Sequence, residues 1–116
     1  MLKKEFRLRK QKDFDRVFGK KGSFFSQDFL AIKMIKNDLA YSRFGFIVSN
    51  KVSKRAVHRN RTKRLLRESV RLTWDNLVPG IDAVIMARAD LSGRKFEEVN
   101  IAVDRLLKRS GLLIKK

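Results

Sequence analysis

Apolar and polar residues alternate over two stretches near the middle of the chain, and alternation with a period of two is the mark of a half-buried strand. In residues 29–36, FLAIKMIK, one face collects Leu30, Ile32 and Met34. In residues 43–49, RFGFIVS, Phe44, Phe46 and Val48 alternate with Gly45, Ile47 and Ser49. The short polar link between them, with the turn signal Asn37-Asp38, suggests that the two runs form an antiparallel pair. A third run, Ile81–Ala87, is continuously apolar apart from Asp82 and reads as a buried strand just after Pro79-Gly80, the clearest break in the chain. Phe24 and Phe25, followed by polar Ser26, Gln27 and Asp28, leave room for one more strand.

Three other stretches carry the helical period. Residues 11–18 put Phe14, Val17 and Phe18 on one face and end in Gly19 and Gly22. From Ala56 onward, Thr62, Leu65, Leu66, Ser69 and Thr73 fall mostly on one side. From Phe96 onward, Val99, Val103, Leu106 and Leu107 mark an amphipathic helix that stops near Gly111. Residues 1–10 read as a basic extended arm and Lys115-Lys116 as a frayed tail. Trp74 reads as a packing residue. The order is helix, two or three strands, helix, strand, helix. The fold class is α+β: a single sheet of about four strands packed with three helices, in one domain spanning residues 1–116.

Charge changes this picture at the second helix. Arg59, Lys63, Arg67 and Arg71 follow one another at steps of four, with Asn60 and Arg64 beside them, and Glu68 is the one acid between residues 49 and 71. Like charges at i, i+4 destabilise an isolated helix by roughly 0.2–0.5 kcal/mol per pair, so stability alone does not account for the row. A polyanion laid along it removes the penalty and releases counterions. At ~1.5 Å per residue, residues 56–71 span about 24 Å, enough to touch several phosphates. The whole chain agrees: 29 Lys and Arg against 12 Asp and Glu give a net charge of +17, an excess that points to nucleic acid.

Catalytic chemistry has little to stand on. Cysteine is absent and His58 is the single histidine, which excludes thiol chemistry and a multi-His metal site. His58 lies inside the basic helix and reads as a structural residue or an RNA contact rather than a general base. Asp13, Asp15, Asp28 and Asp38 are scattered over helix and turn signals, which gives a two-metal nuclease site little support. No Gly-rich phosphate loop or nucleophile elbow occurs. No apolar run approaches the ~20 residues that span a bilayer, and the start, MLKKEFRLRK, lacks the apolar core of a secretory signal. These features suit a bacterial cytoplasmic protein that binds nucleic acid without catalysis of its own. Phe14 and Phe18, four residues apart, read from spacing alone as anchors of the first helix on a sheet.

The run Arg59-Asn60-Arg61-Thr62-Lys63-Arg64, followed by Leu65-Leu66-Arg67 and preceded by Val48-Ser49-Asn50-Lys51, resembles the RNR signature of the bacterial ribonuclease P protein family. The likeness runs from about Leu2 to Leu113, nearly the whole chain. It implies the element order α-β-β-β-α-β-α, with the basic helix in a left-handed β-α-β crossover, although such connections are right-handed in about 98% of cases. It implies a subunit that binds the ribonuclease P RNA through Lys54, Arg55, Arg59, Asn60, Arg61, Lys63, Arg64, Arg67 and Arg71. It implies a cleft for the 5′ leader of precursor tRNA, between the first helix and the sheet, drawing on Phe14, Phe18, Ile32, Phe46, Ser49 and Lys51. By this likeness Phe14 and Phe18 are cleft wall, which reverses the reading from spacing. The RNA subunit would carry the catalysis, with Mg²⁺ entering through RNA, so the protein would hold no cofactor or catalytic residue. No membrane or small-molecule partner is expected. Two other classes share the charge: a ribosomal protein, and a helix-turn-helix regulator, against which the strands flanking the basic helix argue.

Overall fold

Strand β4 (Ile81–Ala87) is the most apolar segment of the chain and takes the place where both faces and both edges are covered. A computed structural model describes residues 2–114, so the Lys115-Lys116 tail lies outside the described residues. Its sheet also contains β1 (Ser23–Gln27), β2 (Leu30–Lys36) and β3 (Arg43–Ile47), in the order β1-β2-β4-β3. β1 and β2 form an antiparallel hairpin, β2 and β4 are antiparallel, and β3 and β4 are parallel.

The expected antiparallel pairing of residues 29–36 with 43–49 is therefore corrected: β4 lies between them. Two causes are visible. β1 closes one edge of β2 through a tight turn in which Asp28 takes the left-handed conformation, φ 57°. β4, apolar on both faces, then claims the other edge of β2 over seven paired positions, from Leu30↔Ala87 to Lys36↔Ile81. β3 is left to pair on the far side of β4.

Helix α1 (Gln11–Val17) packs on one face of the sheet, and α2 (Ala56–Leu72) and α3 (Phe96–Arg109) pack on the other. Strand alternation sorts the side chains between them. Leu30, Ile32, Phe44, Ala83, Ile85 and Ala87 join Leu66, Val70, Val99, Val103, Leu106 and Leu107 in the main core. Val84 joins Leu8 and Val17 in a smaller cluster under α1, with Phe14, Ile35, Ile47 and Met86 at its margin. Each fully buried Leu or Ile contributes roughly 1.5–3 kcal/mol.

Polar pins fix the helices. Ser69 Oγ donates to Asn100 Oδ1 at 2.6 Å between α2 and α3, and Thr62 Oγ1 accepts from the Leu91 amide at 3.2 Å. The basic arm turns once at Lys4–Phe6, buries Leu2 and Leu8, and bridges Arg7 to Phe44 at the β3 edge. Trp74 packs as expected, stacked on Phe6 at 4.6 Å and edge-on to Phe44 at 5.7 Å. Among the described residues no helix is long and apolar enough to cross a membrane.

Candidate nucleic-acid interface

The face under α1 is built in rows that cross all four strands. One row reads Gly45, Val84, Lys33, Phe24, and the next reads Ile47, Met86, Ala31, Ser26. α1 lies over the first row. Phe14 sits on Gly45 so closely that a Cβ there would stand 2.7 Å from two ring carbons; the glycine is what admits the aromatic ring. The second row is only partly covered: Ile47, Met86 and Ser26 are half-buried, and Ala31 is nearly enclosed. The result is a shallow trough across the sheet. Phe14 and Phe18 stand along one side, and beyond the Ile47 end the chain turns through Ser49 and Lys51, both exposed. Phe18, the residue that closes α1, is 44% exposed.

What holds α1 in place is a buried carboxylate. The side chain of Asp82 is 0% exposed, and it accepts from Arg16, from Arg43 Nε at 3.0 Å and Nη2 at 2.7 Å, and from Asn37 Nδ2 at 2.8 Å. Arg16 also donates to the Lys36 carbonyl at 3.0 Å, and Arg43 reaches Asp13 of α1 at 3.4 Å. Burial alone pushes the Asp82 carboxyl upward; the bonds from Arg43 and Asn37 and the nearby charges of Arg43 and Arg16 outweigh it and hold the group below the ordinary aspartate value. The clamp ties α1 to the end of the sheet where β3 and β4 begin, which leaves the other end open.

The six residues expected to form this cleft do not all lie on one face of the sheet. Phe14, Phe18, Ser49 and Lys51 lie on or beside the α1 face. Ile32 and Phe46 do not, and this is a correction. Ile32 is 0% exposed and in register with Phe25 and Ile85, all three facing α2 and α3. Phe46 points the same way and lies under Arg67, whose guanidinium carbon is 5.9 Å from the ring centre. Because side chains alternate, the trough floor is formed by their neighbours Ala31 and Ile47, with Met86 from β4.

On α2 the basic residues divide by angle. Steps of four advance about 40° beyond a full turn, so a row that starts at Arg59 has rotated by about 120° at Arg71. Arg59 begins at the flank of the packed face and donates to the Ser53 carbonyl at 3.0 Å. Lys63 and Arg67 are half-buried along the same flank, while Asn60, Arg61, Arg64 and Arg71 face outward, as do Lys54 and Arg55 in the preceding turn. Of the row Arg59, Lys63, Arg67 and Arg71, only Arg71 is exposed. Arg67 stands out: burial and then the charges of Arg7 and Arg64 hold its guanidinium below the ordinary arginine value, and its Nε is buried with no partner. A cation crowded by cations is relieved by an anion.

The two helices on the closed face make the point by contrast. α3 begins with Glu97 and Glu98 and ends with Lys108 and Arg109, the arrangement that suits a helix dipole. α2 has no acid in its first turn and opens instead after Lys54 and Arg55. Its N-terminus is a positive end left uncompensated by the chain itself, which favours phosphate. His58 leans the other way, with Nδ1 3.5 Å from Asp90 in the loop before α3.

Several residues of this region were missed by sequence reasoning. Asp82 carries a signal, an acid inside an apolar run, which calls for a cationic partner. Met86 and Lys33 carry none until strand order is known.

The family model described as Ribonuclease P matches residues 2–111. The chain is 39% identical over 108 residues to the ribonuclease P protein component of Clostridioides difficile, covering 92% of this chain and 93% of that protein. It is 40% identical over 113 residues to the component of Clostridium acetobutylicum, covering 96% and 93%. The solved ribonuclease P protein of Thermotoga maritima superposes with a TM-score of 0.79 at 34% identity, covering 89% of this chain and 96% of that one.

Proposed function

The chain belongs to the ribonuclease P protein family, and from that premise we propose that it is the protein subunit of a ribonuclease P ribonucleoprotein acting in tRNA 5′ processing in the bacterial cytoplasm. Its α2 helix and the preceding turn bind the catalytic RNA. The trough beside α1 receives the single-stranded 5′ leader of precursor tRNA. The RNA subunit carries out the Mg²⁺-dependent hydrolysis that removes the leader, and the protein contributes affinity and placement.

The observation that carries this reading is the partly uncovered row of Ile47, Met86, Ala31 and Ser26 beside exposed Phe18, on a molecule whose basic helix has no acid in its first turn. An extended strand of nucleotides fits a shallow apolar trough with aromatic rings, because bases stack on such rings regardless of sequence and the phosphates remain outside for lysine and arginine. The acids nearest the trough, Asp82 and Asp13, are occupied by arginines. Asp82 is enclosed by two arginines and Asp13 faces one of them, and among the described residues no three metal-binding side chains converge. The proposal accordingly assigns the metal to the RNA.

Reconstitution with a ribonuclease P RNA tests the proposal. At low Mg²⁺ the protein is expected to accelerate 5′ cleavage of precursor tRNA and to tighten binding of leader-bearing over leaderless tRNA. Protein freed of RNA is expected to cleave nothing. Co-sedimentation with ribosomes and no effect on cleavage would replace this reading with a ribosomal one.

A further inference from the structure

Phe24 on the edge strand β1 is 57% exposed, more than Phe18 or Tyr41, and its ring joins none of the ring–ring contacts among the described residues. Strand structure does not require it: alternation sends Phe25 to the core, so position 24 needs only a residue compatible with an edge. An exposed aromatic on an edge strand is also an aggregation liability, which chains usually blunt with charge.

Its neighbours say what it suits. Phe24 lies directly opposite Lys33, on the same sheet face as the trough, and in the row that runs under Phe14 from Gly45 through Val84. The Lys33 side chain leans toward the turn between α1 and β1: its Cε would be 2.9 Å from a Cβ at Gly22. Lys20 and Lys21 in that turn are exposed. Phe18, at the end of α1, leads into the same turn. An aromatic face flanked by an ammonium on the next strand, with two more close by in sequence, is the chemistry of single-stranded nucleic acid: a base stacks on the ring and its phosphates meet the lysines.

We propose that Phe24 extends the leader site to the edge of the sheet, stacking on a nucleotide farther from the cleavage point than those beside Phe18, with Lys33 on the adjoining phosphate. This rests on the reading of the trough as the leader site. It makes the subunit a measure of leader length, because a leader must cross from β2 to β1, one strand spacing of about 4.8 Å, before Phe24 can be reached.

The test uses reconstituted holoenzyme and precursor tRNAs whose leaders grow one nucleotide at a time. Phe24→Ala is expected to match wild type on leaderless tRNA and on the shortest leaders, then fall behind by about tenfold in affinity once the leader is long enough, the size of one lost base stack. Phe24→Tyr keeps the ring and is expected to follow wild type; Phe24→Leu keeps apolar bulk without a ring and is expected to follow alanine. Phe18→Leu should lose affinity at shorter leader lengths than either. Phe24→Ala matching wild type at every length, while Phe18→Leu loses leader discrimination, overturns the extension and leaves the trough in place. Neutral results at both positions overturn the trough and the extension together. A Phe24→Ala defect that persists on leaderless tRNA places the residue against another RNA and also overturns the proposal. Should Phe24→Ala fold poorly by thermal melting, the Tyr and Leu variants decide by the same criterion.

Discussion

The two faces of the sheet are built from similar residues and finished differently. On the face that meets α2 and α3, Leu30, Ile32, Phe44, Ala83, Ile85 and Ala87 are all buried beneath two helices of 17 and 14 residues. On the other, α1 has seven residues. At ~1.5 Å per residue it is only about 10 Å long, too short to cover a sheet of four strands spaced about 4.8 Å apart. On the first face the half-buried residues Phe25, Met34 and Phe46 sit at the margin of a large buried core; the second keeps half-buried Ile47 and Met86 and exposed Phe18 and Phe24. One face is thereby given to packing under α2 and α3 while the other is left partly uncovered, where the proposed leader site lies, and β4, shared by both, links them.

Substitutions that separate the faces test this division most strongly. Ile32→Ala, on the closed face, is expected to cost about 2–5 kcal/mol of stability through lost transfer energy and a cavity. Met86→Ala, on the open face, should cost under about 2 kcal/mol, since part of the side chain faces solvent and its loss leaves a smaller cavity. Leader discrimination should respond in the opposite order: the folded fraction of Ile32→Ala retains it and Met86→Ala loses it. Urea denaturation and the affinity of each holoenzyme for tRNA with and without a leader give both readings. Equal stability losses at the two positions would erase the distinction.

Next comes the clamp that keeps the open face open. Asp82→Asn should cost about 2–3 kcal/mol, at the low end for a buried ion pair because Arg16 and Arg43 both reach water. The pH dependence has a definite sign. The folded-state carboxyl is held below the unfolded value of about 3.9, so its contribution is fully present above that pH and is lost as pH falls through the lower folded value. Wild type should therefore lose stability in acid more steeply than Asp82→Asn, and the gap between their melting temperatures should narrow below about pH 4. A gap independent of pH would mean that the charge of Asp82 plays no part.

Much of this division is visible in the sequence, and the rest is hidden for a physical reason. The alternation in RFGFIVS separates Phe44, Phe46 and Val48 from Gly45, Ile47 and Ser49 without any structure. By that alternation alone, Phe46 and Ser49 cannot share a cleft floor. Which set meets α1 is not legible, because both are apolar enough to be buried. Gly45 is the one hint, a residue with no side chain where an aromatic ring comes close. The pairing of β2 is not legible because neighbourhood in sequence favours β3, whereas the partner it takes, β4, arrives more than thirty residues later and covers it over seven positions, with β3 pairing on the other edge of β4 over five. Asp82 announces itself as an acid in an apolar run, but its partners Arg16 and Arg43 lie 66 and 39 residues away. The basic helix was legible from charge alone, though not its rotation, since a row at steps of four looks straight on paper and winds on the helix.

On the open face, Phe18→Leu sharpens the comparison further. With 44% of the residue in solvent, the change should lower stability by less than about 1 kcal/mol. The loss of a stacked base should cost roughly 1–3 kcal/mol of leader affinity. Phe14→Leu is the companion, since Phe14 packs on Gly45 and touches the core under α1; it should lose more stability than Phe18→Leu for a similar loss in leader affinity. Large drops in melting temperature with unchanged leader discrimination would return both rings to packing.

The smallest effect concerns the far side of the molecule, the outer surface of α2, where the proposed function places the RNA. Arg61 and Arg64 are exposed and make no ion pair among the described residues, so replacing either with alanine removes a charge without a cavity and should change stability by less than about 0.5 kcal/mol. If each neutralises one phosphate of the RNA subunit, each loss should shrink the slope of log K against log salt by about 0.7–0.9. Arg71→Ala is the internal control. Its guanidinium is already held by Glu68 at 2.5 Å, and the bond to Glu68 raises it above the ordinary arginine value, so a phosphate must compete with a carboxylate for it and the slope should change less. The Arg61→Ala, Arg64→Ala double variant should lose about twice the slope of either single change, with leader discrimination on the opposite face intact. A slope unchanged in the double variant would mean that the outer face of α2 meets only water, and the RNA contact would shift to the flank, where Arg59, Lys63 and Arg67 are half-buried.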